Sequence, residues 1–94
     1  MALARVVTFE GVDRERVDQV RQEIEGGERP EGLNATEIIV LHDGGADRSL
    51  TVVFFDNEDD YVRGNEILDS MPRDDTPGER TSVSKYDVAI RMKP

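Results

Sequence analysis

The sequence predicts one α+β domain with the element order βαββαβ. Runs rich in β-branched and aromatic residues alternate with runs of helical periodicity, and a turn containing two glycines joins the middle extended runs. These elements account for most of the 94 residues. Two crossover units that share one sheet give a ferredoxin-like arrangement with a four-stranded antiparallel sheet. We therefore predict a single ferredoxin-like domain over residues 1–94.

The predicted strands cover residues 4–9, 37–42, 50–55 and 81–92. The second and third flank a short segment with Gly44 and Gly45, and a loop of this length joins antiparallel neighbours. The fourth alternates apolar and polar side chains, which favours an edge position. One of its faces carries Tyr86, Val88, Ile90 and Met92, and the other carries Lys85, Asp87 and Arg91.

Two helices are predicted from caps and apolar spacing. The first spans roughly residues 13–25, with Asp13 as N-cap and glycines at its end. Its apolar positions are Val17, Val20 and Ile24. Asn57 caps the second helix, acidic residues fill its first turn and Pro72 ends it. Its apolar stripe consists of Tyr61, Ile67, Leu68 and Met71.

The predicted sheet is apolar on both faces. The two helices are expected to cover the same face, so the opposite face has no cover. The third strand places Leu50, Val52 and Phe54 on one side and Val53 and Phe55 on the other. The second strand divides Ile38 and Val40 from Ile39 and Leu41, and the first divides Val7 and Phe9 from Ala4 and Val6. A monomer rarely exposes such a face, so we expect a homodimer in which two sheets pack face to face. The alternative is that the loop Arg73–Arg80 covers part of this face.

Composition narrows the classes of function. The chain has no cysteine, so disulfides, thiolate metal sites and cysteine catalysis are excluded. A net charge of -9 repels phosphate backbones and anionic lipid surfaces, so we expect no nucleic acid or membrane partner. The N-terminus lacks the apolar stretch of a signal peptide, and a cytoplasmic location is the expectation.

The stretch Arg48–Asp60, followed by a helix and then Thr81–Val88, resembles the antibiotic-biosynthesis-monooxygenase-like family of dimeric α/β-barrels, and Gly32–Leu41 also fits that pattern. The resemblance implies that two sheets form the dimer and that each subunit holds a cleft between sheet and helices. Members of the family oxidise polyketide-type aromatics without a cofactor, degrade haem, or have no known role.

Haem chemistry is not expected from the resemblance. The haem-degrading relatives use an Asn on the first strand, a Trp, and a His on the second helix. Here the first strand offers Thr8, Phe55 stands where Trp is common, and the second helix contains Tyr61 and Asn65 but no histidine. We therefore predict no cofactor.

His42 is the candidate catalytic residue, because it is the only histidine and this residue type titrates near neutral pH. It is also simply the last residue of a strand that enters a turn. Tyr61, Asn65 and Tyr86 are the candidate ligand-binding residues, with Arg91 as a further donor. The alternative makes both tyrosines core residues and leaves Arg91 solvated or ion-paired on the edge strand.

No metal site is predicted. Asp56, Glu58 and Asp60 alternate like the start of a calcium loop, but Tyr61 occupies the position that needs glycine and Ile67 the position that needs a bidentate glutamate. Capping of the second helix explains the three acids better.

Two functions remain open. The first is binding, or cofactor-free oxidation, of a small apolar or aromatic organic molecule in a cleft between helices and sheet, where at least two of the four candidate residues would converge. The second is a non-catalytic module whose acidic surface meets a basic protein partner.

Overall fold

A computed structural model describes residues 2–26, 32–70 and 78–93, and it confirms the ferredoxin-like α+β architecture. The elements in chain order are β1 (Leu3–Glu10), α1 (Arg14–Glu25), β2 (Glu37–Asp43), β3 (Arg48–Phe55), α2 (Glu58–Asp69) and β4 (Glu79–Asp87). The strands form one antiparallel sheet in the order β2-β3-β1-β4, so β4 is an edge strand, as its alternating sequence predicts. No helix in the described ranges is long and apolar enough to cross a membrane.

The prediction that the last strand continues to Met92 is wrong. β4 ends at Asp87, which pairs with Leu3 at the start of β1. Beyond that point β1 offers one more contact, in which the backbone N–H of Val88 donates to the carbonyl of Ala2 over 2.9 Å. β4 stops because β1, its only neighbour in the described sheet, begins at Leu3 and offers no strand residues beyond it to pair with. The alternating pattern after residue 87 therefore does not correspond to a strand.

Side-chain capping sets the start of both helices, as predicted. The backbone N–H of Arg16 donates to Oδ1 of Asp13 over 2.8 Å, and that of Asp60 donates to Oδ1 of Asn57 over 2.8 Å. Each bond satisfies an amide that has no partner inside its helix. Gly27, Met71 and Pro72, predicted to mark helix ends or the apolar stripe, lie outside the described residues.

Both helices pack on the same face of the sheet, in two separate parts of the core. Tyr61 of α2 packs with Leu3, Val53 and Phe55, and Leu68 lies against the same group. Val17 of α1 packs against a second group. That group consists of Val7, Phe9 and Val12. Because α1 and α2 cover different ends of the sheet, the polar side chains of each helix lie near a different end.

The turn between β2 and β3 is not built on the conformational freedom of its glycines. Its left-handed residue is Asp47, with φ of 48°, whereas neither Gly44 nor Gly45 has positive φ. The Asp43 carboxylate accepts from the backbone N–H of Gly45 over 3.1 Å, and the Asp47 carbonyl accepts from the N–H of Val12 over 2.8 Å. The turn is therefore tied to the chain that enters α1.

The face opposite the helices, called the open face below, carries an apolar patch over β1, β3 and β2. Register places Val6, Val52 and Ile39 in one row across these strands, and Leu50 and Leu41 in the next. β4 adds Ser82 and Ser84 to the same two rows, so β4 is polar in these rows. The patch is thus narrower than the whole sheet.

Arg91 was predicted to share a face with Lys85, and this is wrong. Its guanidinium carbon lies 4.5 Å from the ring centroid of Phe54, which belongs to the open face. Ile90 and Met92 beside it are 84% and 77% exposed, so these two side chains add exposed apolar surface. Residues 73–77 of the loop that could cover the open face lie outside the described part of the chain.

Candidate functional site

The four candidate residues lie in three different places. His42 is near the end of β2, on the helix-covered face. Tyr61 and Asn65 lie one turn apart on α2. Tyr86 pairs with Ala4 on the open face and is 57% exposed. The fold therefore brings Tyr61 and Asn65 together and separates both from His42 and Tyr86.

Asn65 belongs to a charged cluster around Arg5, a buried cation that the sequence analysis did not single out. Arg5 Nε donates to Asn65 Oδ1 over 2.9 Å, and Arg5 Nη2 lies 3.0 Å from Asp69 Oδ1. Arg80 of β4 reaches the same Asp69 oxygen at 2.8 Å. Burial lowers the pKa of Arg5, while the charge of Asp69 and its hydrogen bond oppose that effect. The cluster holds β1, α2 and β4 together.

Tyr61 occupies the core beside this cluster. Its ring meets Phe55 edge to face, with centroids 5.6 Å apart and planes at 75°. Lys85 Nζ lies 5.0 Å from the Tyr61 ring centroid and 2.6 Å from Glu58 Oε1. Burial raises the pKa of the Tyr61 phenol, and the charges of Arg5 and Lys85 oppose this rise. The surroundings thus favour a neutral phenol packed in the core.

A half-open cleft of about 430 Å³ lies between α1 and the end of β2. Its lining residues are Arg14, Val17, Asp18, Arg21 and His42. The four α1 residues repeat at three- and four-residue intervals, so they form one face of the helix. The lining has two guanidinium groups and one carboxylate, which makes the cleft locally cationic in a chain of net charge -9. Asp18 pairs with Arg21 at 3.1 Å.

The hydrogen bond of His42 identifies its tautomer. Nε2 lies 2.7 Å from the carbonyl oxygen of Val12, and because a carbonyl can only accept, Nε2 carries the proton. In the neutral ring the lone pair is therefore on Nδ1, which is the only atom of His42 able to act as a base. The same bond links β2 to the residue that precedes the helix cap.

Ser49 lies directly beside His42. The two are cross-strand partners on the helix-covered face, and Phe9 flanks Ser49 on its other side. Ser49 is 1% exposed, and its hydroxyl has no hydrogen-bond partner within the described ranges. A buried hydroxyl without a partner is rare, and this one lies next to His42, which lines the cleft.

The sequence pattern gives only weak indications of the cleft residues on α1 and of the buried Arg5. Arg14 and Arg21 are seven residues apart with Val17 between them, so a helical projection would have placed them on the side that Val17 directs toward the sheet. The indication for Arg5 is weaker. It is a charged residue on the same side of β1 as Leu3, Val7 and Phe9, where the alternation would favour an apolar one. Ser49 gave no signal that distinguishes it from an ordinary polar residue at a strand end.

Among the described residues, no three His, Asp or Glu side chains are grouped so that they could hold a metal ion. Asp60 serves instead in the cap of α2, where its Oδ2 accepts from Asn57 Nδ2 over 3.1 Å. Comparison with known proteins returned no matching family model, no similar curated protein and no similar solved structure.

Proposed function

We propose that this protein is a homodimer of the antibiotic-biosynthesis-monooxygenase-like type that binds a small organic molecule in the cleft between α1 and β2. The observation that carries the proposal is the cleft itself, about 430 Å³ in volume and bordered by His42. Small-molecule sites in proteins have volumes of roughly 300–1,000 Å³ and combine apolar walls with a few polar groups. Val17 supplies apolar wall here, and the remaining lining residues supply polar groups.

The reaction proposed for the bound molecule is oxidation by O₂ without a cofactor. His42 Nδ1 takes a proton from an activated CH₂ group, and one oxygen atom of O₂ bonds to that carbon. The O–O bond then breaks as His42 returns its proton, and the second oxygen leaves as water with both hydrogens of the CH₂ group. The carbon thereby becomes a carbonyl, and O₂ is the only oxidant. The Nε2 tautomer supports this role because it leaves Nδ1 free of a proton in the neutral ring.

A homodimer through the open face is supported by the apolar rows on that face. Val52 lies at their centre, between Val6 and Ile39. Val52→Glu places a charge there and should give a particle of about 10.6 kDa by sedimentation, where the wild type sediments at twice that mass. Val62→Glu, at an exposed position of α2, is the matched control and should sediment like the wild type. A monomeric wild-type protein would contradict this part of the proposal.

Thermal melts with a panel of aromatic compounds test the binding part. A compound that binds the folded chain but not the unfolded chain must raise the midpoint of the thermal melt. Asp18→Trp fills the cleft from an exposed position and should abolish that rise, whereas Asp59→Trp, in the exposed first turn of α2, should preserve it. Oxygen uptake with the same compounds then tests oxidation. If no compound shifts the midpoint, the non-catalytic acidic module becomes the better description.

A further inference from the structure

We infer that the cleft selects an organic acid, whose carboxylate is held by Arg14 beside His42 while its apolar part lies against Val17. This inference rests on the proposed function, because it names the class of ligand that the same cleft would take. The proposed function requires only an apolar or aromatic molecule, whereas here the molecule also carries a negative charge.

The charges around the cleft point to an anion. Its lining has two guanidinium groups and one carboxylate, in a chain where acids outnumber Lys and Arg by 21 to 12. An acidic surface repels anions generally, so a locally cationic cleft is where a small anion would concentrate.

Arg14 is the guanidinium best placed to bind it. Arg21 is already paired with Asp18 at 3.1 Å, which occupies part of its donor capacity. Within the part of the chain that the structure describes, the Arg14 side chain makes no hydrogen bond or ion pair. A guanidinium offers several donors in a planar fork that matches a carboxylate, so Arg14 retains this capacity for a ligand.

His42, which lines the cleft, and its cross-strand partner Ser49 both have polar atoms without a described partner. His42 Nε2 is held by the Val12 carbonyl, and Nδ1 makes no hydrogen bond among the described residues. The buried Ser49 hydroxyl beside it also has no described partner. These observations are independent of the charge on α1. They leave hydrogen-bonding capacity unused at His42, which lines the cleft, and at its cross-strand partner Ser49.

The volume favours an organic acid over a bare inorganic anion. About 430 Å³ exceeds the needs of one oxyanion by several fold, since a water molecule takes up about 30 Å³ in the liquid. Val17 gives the remaining space an apolar wall. A carboxylate on a ring or a short apolar body therefore matches both the charged and the apolar residues of the lining.

The test is an NMR titration of the full chain at neutral pH with benzoate, with the uncharged isostere benzamide, and with inorganic phosphate. Benzoate should shift the amide signals of residues 14–21 and the ring signals of His42 saturably. Benzamide and phosphate should each bind at least about tenfold more weakly, because benzamide lacks the negative charge and phosphate lacks the apolar body.

Variants assign the effect to Arg14. Arg14→Gln should weaken benzoate binding about tenfold or more, and Asp18→Asn should strengthen it by releasing Arg21. Arg63→Gln, which removes an exposed guanidinium from α2, is the matched control and should bind like the wild type. Circular dichroism verifies that each variant is folded.

The outcomes separate this inference from the proposed function. Equal binding of benzamide and benzoate in the cleft would overturn the preference for an acid and leave the binding cleft in place. Equal binding of phosphate would overturn the organic part of the assignment. If Arg14→Gln binds benzoate like the wild type, Arg14 is not the anchor and the inference fails. If none of the three probes perturbs the cleft, the inference and the binding part of the proposed function fail together.

Discussion

Asp69 of α2 lies 3.0 Å from the buried guanidinium of Arg5, and this pair joins the helix to the centre of the sheet. Arg5 sits on β1 between Val53 of β3 and Lys85 of β4. Its side chain is 5% exposed, whereas that of Asp69 is 45% exposed. The burial cost of the cation is therefore offset by a partner that remains in contact with water.

Removing Asp69 should destabilise the fold. Asp69→Ala leaves the Arg5 side chain with Asn65 as its remaining described hydrogen-bond partner, and it also releases Arg80. We expect the free energy of unfolding to fall by roughly 1–3 kcal/mol, measured by urea denaturation. Glu10→Ala, which breaks the exposed pair with Arg48, is the control and should cost less than about 1 kcal/mol. Equal losses in the two variants would show that the pair of Arg5 and Asp69 contributes no more to the free energy of unfolding than an exposed pair does.

Stability should fall at alkaline pH. The pKa of Tyr61 is raised by burial, and that of Lys85 is raised chiefly by its hydrogen bond to Glu58. Both groups therefore keep their protons longer in the folded chain than in the unfolded chain. Their stabilisation is complete below the unfolded values, about pH 10, and is lost as pH rises through the folded values.

Tyr61→Phe checks this alkaline loss, because it removes one of the two titrating groups. Urea denaturation from pH 8 to pH 11 should show a shallower loss of stability for this variant than for the wild type. Parallel curves would contradict the assignment to Tyr61.

Gly64→Ala should destabilise α2 against the sheet, although alanine is the better helix former. A Cβ at this position would lie 2.4 Å from Cε1 of Phe55, which is fully buried and cannot move freely. We expect a net loss of roughly 1–3 kcal/mol after the propensity gain of about 1 kcal/mol. Gly44→Ala is the control, since its added Cβ would meet only His42 Cε1 at 3.9 Å. A more stable Gly64→Ala would show that the helix can shift to admit the methyl group.

Asn57→Ala should cost about 1 kcal/mol, because the Asn57 side chain accepts from the backbone N–H of Asp60 at the start of α2. Thermal or urea unfolding measures the change. Asn34→Ala, at an exposed loop position, should stay within about 0.5 kcal/mol of the wild type. A loss at Asn57 no larger than at Asn34 would contradict the capping role.

Most of the architecture could be predicted because local signals specify it. Cap residues, apolar periodicity and a short turn identify six elements and their order, and each depends on neighbours close in sequence. The end of β4 could not be predicted, because Val88–Met92 keeps an alternating pattern while its partner strand begins at Leu3. The same limit explains why Arg91 was assigned to the wrong face.

The candidate site was predictable only in part. His42 was singled out by residue type, and the structure places it at the cleft. Tyr61 and Asn65 were expected to line a cleft, but the described contacts place them beside Arg5, in the core and in a charged cluster. Tyr86 is on the opposite face of the sheet.

The sequence by itself determined the order of the elements, the caps of both helices and the edge position of β4, because these follow from short-range periodicity and from the side-chain chemistry of single residues. Only the tertiary structure decided which polar groups meet. Arg5 and Asp69 are 64 residues apart, and His42 reaches Val12 across 30. Such pairings depend on strand register and helix placement, which bring distant parts of the chain into contact.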